Sequence, residues 1–387
     1  MAESKSLKAL LLAYDLADAA TARRAAMLRA GGADVILAGF RRTAEPITSM
    51  AGCRAIDFGR TYNANFIQRI GAVIGTILRL GQQRDLFAGA DVIVARNLEM
   101  LAIGVRGRSL CATPPTLVYE ILDIHRLLLH RGLIGNILRA LEGWLTQRAA
   151  AVITSSPAFI DNYFKPLSKV RAPIRLVENK ALEVTDAAPL PNRTPRKAGP
   201  PWVIGWFGMI RCEKSLHILS ELARQSNGRI EIVIRGKPSQ DIFGNFTALV
   251  AGMPGVRFLG PYKSPEDLAA IYRDVHFSWA IDMFEEGLNS SWLLPNRLYE
   301  GGLFGAVPIA QSNVETAHFL QRLGIGVTLA DPLAKNLADF FSTLDAAKYA
   351  ALEDAVHKVP RPTWVDGPED CKATVAWLQS LTGGPHA

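Results

Sequence analysis

Cysteine is scarce in this 387-residue chain: Cys53, Cys111, Cys212 and Cys371 are scattered, with no C-x-x-C pair and no histidine grouped near them. That spacing excludes a zinc ribbon and a disulfide scaffold and fits a reducing, cytoplasmic setting. No apolar run approaches the roughly 20 residues that cross a bilayer. The first residues, Met1-Ala-Glu-Ser-Lys-Ser-Leu-Lys, lack the length and small-residue cleavage site of a secretory leader. A soluble or membrane-peripheral protein is expected. The first strand–helix turn, Ala13-Tyr14-Asp15-Leu16-Ala17-Asp18, holds no glycine, which disfavours a nicotinamide-dependent dehydrogenase. There is also no block of Lys and Arg interleaved with aromatics, so no nucleic-acid partner is expected.

What is present is an ordinary globular composition, 49% hydrophobic and 20% charged, long enough for two domains. Positive charge is unevenly placed. Residues 1–185 hold 24 Lys and Arg against 15 Asp and Glu, leaving 19 against 21 for the remainder. The basic residues of the first half are mostly Arg, set singly among apolar residues, which suits an anionic membrane surface or a diphosphate.

The order of elements is legible from apolar runs. Strands are predicted at 7–13, 35–39, 91–95, 116–121, 151–154 and 174–177, with helices between them at 19–30, 63–80 and 126–148. Buried strands alternating with helices predict a parallel sheet covered on both faces. Residues 181–201 then carry five prolines, which neither helix nor central strand tolerates. The alternation restarts with strands at 202–207, 230–234, 256–259, 275–281, 307–310 and 325–328 and helices at 215–224, 265–273 and 295–304. The expected organisation is a Rossmann-like domain over 1–185, a linker over 186–201, a second such domain over 202–366, and a C-terminal helix and tail over 367–387. Two doubly wound domains are expected to face each other across a cleft, with ligands beyond the carboxyl ends of their strands.

The most informative segment is Pro295-Asn296-Arg297-Leu298-Tyr299-Glu300-Gly301-Gly302-Leu303-Phe304-Gly305-Ala306-Val307-Pro308-Ile309-Ala310. Proline is expected in the first helical turn. Arg297 and Glu300 are then three apart on one face near the helix N-terminus, where an anion is favoured. Arg297 on a phosphate and Glu300 accepting from ribose hydroxyls would suit a nucleotide diphosphate; on spacing alone, a surface ion pair fits equally well.

This segment resembles the P-x-K/R-x-x-E-x-x-x-x-G-x-P-V-I-A signature of GT-B glycosyltransferases, especially the family 4 type that builds bacterial exopolysaccharides such as succinoglycan. A second stretch, Gly205-Trp206-Phe207-Gly208-Met209-Ile210-Arg211-Cys212-Glu213-Lys214-Ser215, is similar to the family's phosphate-binding loop. Lys214 falls six residues after Gly208, as the family's lysine does. Met209 stands where an arginine is usual, and Arg211 is the substitute. The family's first acid of the E-x7-E pair is displaced: its best match is Glu286-Gly287, in a longer loop that also carries Asp282 and Glu285.

The resemblance implies a GT-B fold and a hexosyltransferase, retaining and metal-independent, that needs no cofactor. With no DxD-type cluster, Arg211, Lys214 and Arg297 are expected to neutralise the leaving diphosphate. The donor is expected to be a UDP- or GDP-sugar held by Gly208, Arg211, Lys214, Arg297 and Glu300. The acceptor is expected to be a saccharide on polyprenyl diphosphate. In the first domain, Asp123 and His125 follow the strand at 116–121; with Glu286 they are the candidate catalytic groups. A helix-capping Asp123 with a bystander His125 fits the spacing equally well. Tyr14, Asp15, Arg23, Arg96, Asn97 and Glu120 occupy other positions at or near strand ends.

The helical stretches 63–80 and 126–148 carry apolar residues at helical spacing among arginines. They read either as helices packed on the sheet or as a surface for the inner leaflet of the membrane. Two other readings share the nucleotide pocket: a nucleotide-sugar 2-epimerase of the same fold, and a non-catalytic nucleotide-sugar-binding scaffold.

Overall fold

In the computed structural model, residues 6–62, 66–183 and 196–383 are described. The chain divides into two compact units: residues 1–178, 182–188 and 366–387 form the first, and residues 179–181 and 189–365 the second.

The first unit begins with β1 (Lys8–Ala13), α1 (Ala19–Ala30), β2 (Asp34–Arg41), β3 (Ser49–Met50) and β4 (Cys53–Arg60). It continues through α2 (Phe66–Arg79), α3 (Arg84–Ala88), β5 (Val92–Arg96), α4 (Asn97–Arg108), β6 (Thr116–Ile121), α5 (Arg126–Leu129) and α6 (Leu133–Thr146). Then come β7 (Ala151–Thr154), α7 (Pro157–Phe159), β8 (Ile174–Leu176) and β9 (Ala181–Leu182). Eight strands form one sheet in the order β3-β4-β2-β1-β5-β6-β7-β8, parallel except for the β3–β4 pair. The interior of β1, Leu-Leu-Leu-Ala, is buried on both faces, as a continuous apolar run requires in a central parallel strand. Asp18 caps α1 by accepting from Thr21 N at 3.0 Å.

The second unit holds β10 (Trp202–Ile210), α8 (Glu213–Gln225), β11 (Ile230–Pro238), α9 (Gln240–Phe243), α10 (Phe246–Ala251) and β12 (Val256–Phe258). It goes on with α11 (Leu268–Tyr272), β13 (Phe277–Trp279), α12 (Asn296–Leu303), β14 (Val307–Gln311), α13 (Glu315–Leu323), β15 (Val327–Leu329), α14 (Leu333–Ser342) and α15 (Ala346–Lys358). Its six-stranded sheet is parallel, in the order β12-β11-β10-β13-β14-β15. A short β16 (Val365–Asp366) pairs with β9, and α16 (Pro368–Leu381) packs on α1 of the first unit. The approach there is close: a Cβ on Gly31 would lie 2.4 Å from the Cys371 carbonyl oxygen.

Several boundaries differ from the sequence expectation for physical reasons. The predicted helix 126–148 is two helices, α5 and α6. Arg139 of α6 folds back and donates to the carbonyls of Leu128 (2.5 Å) and His130 (2.9 Å), satisfying the backbone groups that the break exposes. Gly135 permits the turn, since a Cβ there would meet the His130 oxygen at 1.8 Å. Pro295 is the N-cap of α12, with ψ 146°, rather than a first-turn residue. The predicted loop at Gly208–Ile210 is a continuation of strand β10. Strand β4 was not predicted; polar residues interrupt its apolar alternation. The predicted linker lies mostly outside the described residues. Arg196, the first of its described residues, is pinned to the second unit, donating to Glu353 Oε1 (3.1 Å), Tyr272 O (2.8 Å) and Phe304 O (2.7 Å).

Candidate active site

In the second unit the candidate residues gather where β10 and β13 end and α8 and α12 begin. Gly208 and Gly236 are register partners on β10 and β11, with φ of 113° and 133°. A Cβ on Gly236 would stand 1.8 Å from the Gly208 backbone oxygen, so β11 can pass there only with glycine at 236. Gly208 itself has nothing within 4 Å of its Cβ position, leaving its backbone open to close approach.

Helix α8 is anchored at its start. Cys212 is the N-cap, its Sγ accepting from Ser215 N at 3.3 Å, and Trp279 Nε1 of β13 donates to the Ser215 hydroxyl at 3.1 Å. Lys214 therefore projects from a fixed first turn, and its Nζ donates to Glu286 Oε2 at 2.6 Å. Both side chains are about half exposed.

Asp282, three residues past β13, is the hub of this cluster. Its Oδ2 is 3.8 Å from both Arg211 Nη2 and Arg297 Nη2. Its Oδ1 accepts from the Ser290 hydroxyl (2.7 Å) and from Phe284 N (3.0 Å). Burial pushes the Asp282 carboxyl up, but Arg297, Arg211 and those hydrogen bonds outweigh it and hold the pKa below the ordinary value. The guanidinium of Arg211 lies 4.6 Å from the centre of the Phe284 ring. Ser290 and Ser291 brace the loop by accepting from Glu285 N (2.9 Å) and Gly287 N (3.3 Å).

Arg297 is buried. Its Nε donates to Trp279 O and its Nη2 to Ile281 O, both at 2.6 Å, so its head is committed to the end of β13. Glu300 is 2% exposed; burial, and after it the charge of Glu300, raises the pKa of the Tyr272 phenol. Thus Arg211, Lys214, Glu286 and Arg297 are brought together around Asp282 and its loop. Residues 297–303 of α12, Arg297 and Glu300 among them, are all buried. Sequence reasoning undervalued Asp282 and overlooked Ser290; an acid just beyond an apolar strand was the available signal.

In the first unit, Asp123 and His125 follow β6 on an exposed loop. His125 caps α5, its Nδ1 accepting from Leu127 N at 3.3 Å. Desolvation lowers its pKa; Glu99 and Asp123 oppose the shift, while Arg69 and Arg126 reinforce it. A neutral ring with Nδ1 accepting carries its proton on Nε2, so the other nitrogen is a donor. Glu120 is fully buried between Arg24 (2.7 Å) and Arg96, which also donates to Thr21 Oγ1 at 3.0 Å. Burial raises the Glu120 carboxyl, yet the two arginines win and hold its pKa low. It is a structural carboxylate. Tyr14 lies near this group: burial raises its phenol, and Asp18, Arg96, Arg42 and Asp123 all act on it.

Helix α6 is inverted. Its buried positions are Gly135, Arg139, Glu142, Gly143, Leu145 and Thr146, whereas Leu133 (74%), Ile134 (58%), Ile137 (57%), Leu141 and Trp144 are exposed. The Glu142 carboxylate accepts from Tyr119 (3.1 Å), Tyr163 (2.6 Å) and Ser168 (2.9 Å). Helix α2 likewise exposes Ile70, Ile74 and Leu78, and both helices pack against α4. Arg126, Arg131 and Arg148 are exposed on or beside α5 and α6, with Arg148 4.6 Å from the centre of the Trp144 ring.

Among the described residues no helix is long and apolar enough to cross a membrane, and no group of three or more His, Cys, Asp or Glu is placed to hold a metal ion.

No protein-family model matches the chain. It is 47% identical over 379 residues to the succinoglycan biosynthesis protein ExoL of Rhizobium meliloti (strain 1021), covering 97% of this chain and 94% of the relative. Similar solved structures include a sucrose-phosphate synthase from Thermosynechococcus elongatus (TM-score 0.71, 14% identity, 97% and 98% of the two chains). Anabaena HepE in complex with UDP and glucose gives 0.67, with 16% identity over 97% and 99%. WaaG, a glycosyltransferase involved in lipopolysaccharide biosynthesis, gives 0.60, with 12% identity over 97% and 100%. At these identities the structures establish a shared fold.

Proposed function

Since this chain belongs to the family of the succinoglycan biosynthesis protein ExoL and has the GT-B glycosyltransferase fold, we propose that it transfers a sugar from a nucleotide diphosphate sugar to a lipid-linked saccharide in exopolysaccharide synthesis. The observation that carries the donor half is the gathering of Arg211, Lys214 and Arg297 at the strand ends of the second unit, beside the open backbone of Gly208.

The chemistry follows from those charges. Breaking the glycosidic bond leaves negative charge on the diphosphate. Lys214 in the first turn of α8 and Arg211 supply compensating charge there, aided by the helix N-terminus. Arg297, locked to two carbonyls, contributes as a fixed charge and holds the Asp282 loop. These three cations perform the neutralisation that a metal ion performs elsewhere. Glu286 is the carboxylate available to donor-sugar hydroxyls, as the family resemblance suggests, and retaining stereochemistry is the expectation from the same source. On the acceptor side, Asp123 is the candidate carboxylate and His125 Nε2 the candidate hydrogen-bond donor.

The outward apolar face of α6, with α2 and the surrounding arginines, supports peripheral binding to an anionic bilayer, expected to be the cytoplasmic leaflet where a polyprenyl-linked acceptor resides. A 2-epimerase has no use for such a face. The test of the donor reading is thermal unfolding with UDP, GDP and their sugar conjugates. A ligand at 100 times its Kd should add about 2.7 kcal/mol of stability, and the gain should vanish in Lys214→Ala. No shift with either nucleotide at millimolar concentration would overturn the reading.

A further inference from the structure

The two cations offered to the donor diphosphate by solvent-reached side chains, Lys214 and Arg211, each face a carboxylate. Lys214 Nζ donates to Glu286 Oε2 at 2.6 Å, and Arg211 faces Asp282 at 3.8 Å. The two acids differ in how they are held. Asp282 is buried and accepts from Ser290 and Phe284 N, so it stays in place whatever binds Arg211. Glu286 is half exposed, and it precedes Gly287, whose φ of 78° lets the chain turn there. The loop around it is braced through Glu285 N and Gly287 N, which are backbone groups, so its carboxylate is free to rotate while the loop stays fixed.

Resting on the donor reading above, we infer that Glu286 is a displaceable internal anion: it competes with the donor diphosphate for Lys214, and binding of the donor releases its carboxylate toward the sugar. The exchange makes Glu286 a specificity-determining residue. A ligand must bring phosphate charge to take Lys214, so a free sugar does not release the carboxylate. A diphosphate does, and its attached sugar then gains a hydrogen-bond acceptor in the same event. Asp282 cannot play this part, because its removal from Arg297 would leave a buried cation without its nearest carboxylate.

The exchange predicts effects of opposite sign for two ligands. An exposed ion pair of this kind limits affinity by a small factor. Glu286→Gln should therefore tighten binding of pyrophosphate, UDP or GDP two- to fivefold, measured by calorimetry. For the matching nucleotide sugar the gain should be cancelled or reversed, because the freed carboxylate is missing, and turnover should fall. In a Lys214→Gln background, Glu286→Gln should leave pyrophosphate and nucleotide affinity unchanged, a coupling that a merely structural role for Glu286 does not produce. Tightening that persists without Lys214, or unchanged or weaker nucleotide binding in the single variant, overturns the exchange while leaving the donor reading intact. Failure of wild type and variant alike to bind pyrophosphate or any nucleotide removes both.

Discussion

The inverted helix α6 yields the sharpest test of membrane binding. Leu133, Ile134 and Ile137 are 74%, 58% and 57% exposed, so the fold gains little from them. A bilayer interface would gain much more. Burying a whole Leu or Ile side chain is worth about 1.5–3 kcal/mol, so completing the burial of these three contributes about 3 kcal/mol. Replacing all three with Ser should lower partitioning onto anionic vesicles by about a hundredfold, at about 1.4 kcal/mol per tenfold change. The assay is sedimentation with phosphatidylglycerol-containing vesicles across a salt series, with the melting temperature as control. Melting should stay within a degree or two, since no buried group is touched. If the triple variant melts much earlier while vesicle binding is unchanged, those residues pack inside the protein in solution and the reasoning fails. Arg126→Glu with Arg131→Glu should weaken binding at low salt and have little effect at high salt, where exposed charges are screened.

Three further outcomes are expected. Asp282→Asn should cost about 3 kcal/mol in urea unfolding at pH 7, because two arginines lose a shared carboxylate; its folded pKa is depressed, so the stabilisation is present above the ordinary carboxylate range and is lost as pH falls through the lower folded value, and the variant's deficit should shrink in acid. Glu142 is the reverse case: burial raises its carboxyl, so its contribution is present at low pH and lost as pH rises through the folded value, and Glu142→Gln should improve relative to wild type between pH 4 and pH 7 when melting temperatures are compared. Gly236→Ala places a Cβ 1.8 Å from the Gly208 oxygen at a φ of 133°, and should lose nucleotide binding together with several kcal/mol of stability, read by calorimetry and thermal unfolding.

Periodicity told where the strands and most helices lie because burial in a parallel sheet demands continuous apolar runs, and those runs are visible in residues such as Leu10–Ala13 and Ile230–Ile234. Nothing in a periodicity says which way a helix faces. The apolar stripe Leu133, Ile134, Ile137 reads the same whether it meets a core or a solvent boundary. The sign is set by its polar neighbours: Arg139 has carbonyls to satisfy at the α5–α6 break, and Glu142 has three hydroxyls waiting on β6 and the segment after β7. Those partners lie 9 to 26 residues away in sequence, and only the folded sheet brings them together.

The same reasoning explains the candidate site. Lys214 was singled out by the family resemblance and Arg297 by its place near a helix start after a parallel strand, where an anion is favoured. Glu300 lies three residues on from Arg297 and is likewise buried, which spacing on a helix face does not reveal. Asp282 shows the converse. It was one acid among several in a loop until Ser290, Arg211 and Arg297 were found around it, and its role then follows from charge. Two cations that converge at the ends of β10 and β13 would repel one another without a carboxylate between them. A fixed acid there keeps Arg211 and Arg297 in place, and the proposed exchange would give Glu286 the contrasting part at half-exposed Lys214. On the proposed reading, this division of labour between a held and a released carboxylate would let the site stay assembled while admitting a highly charged donor.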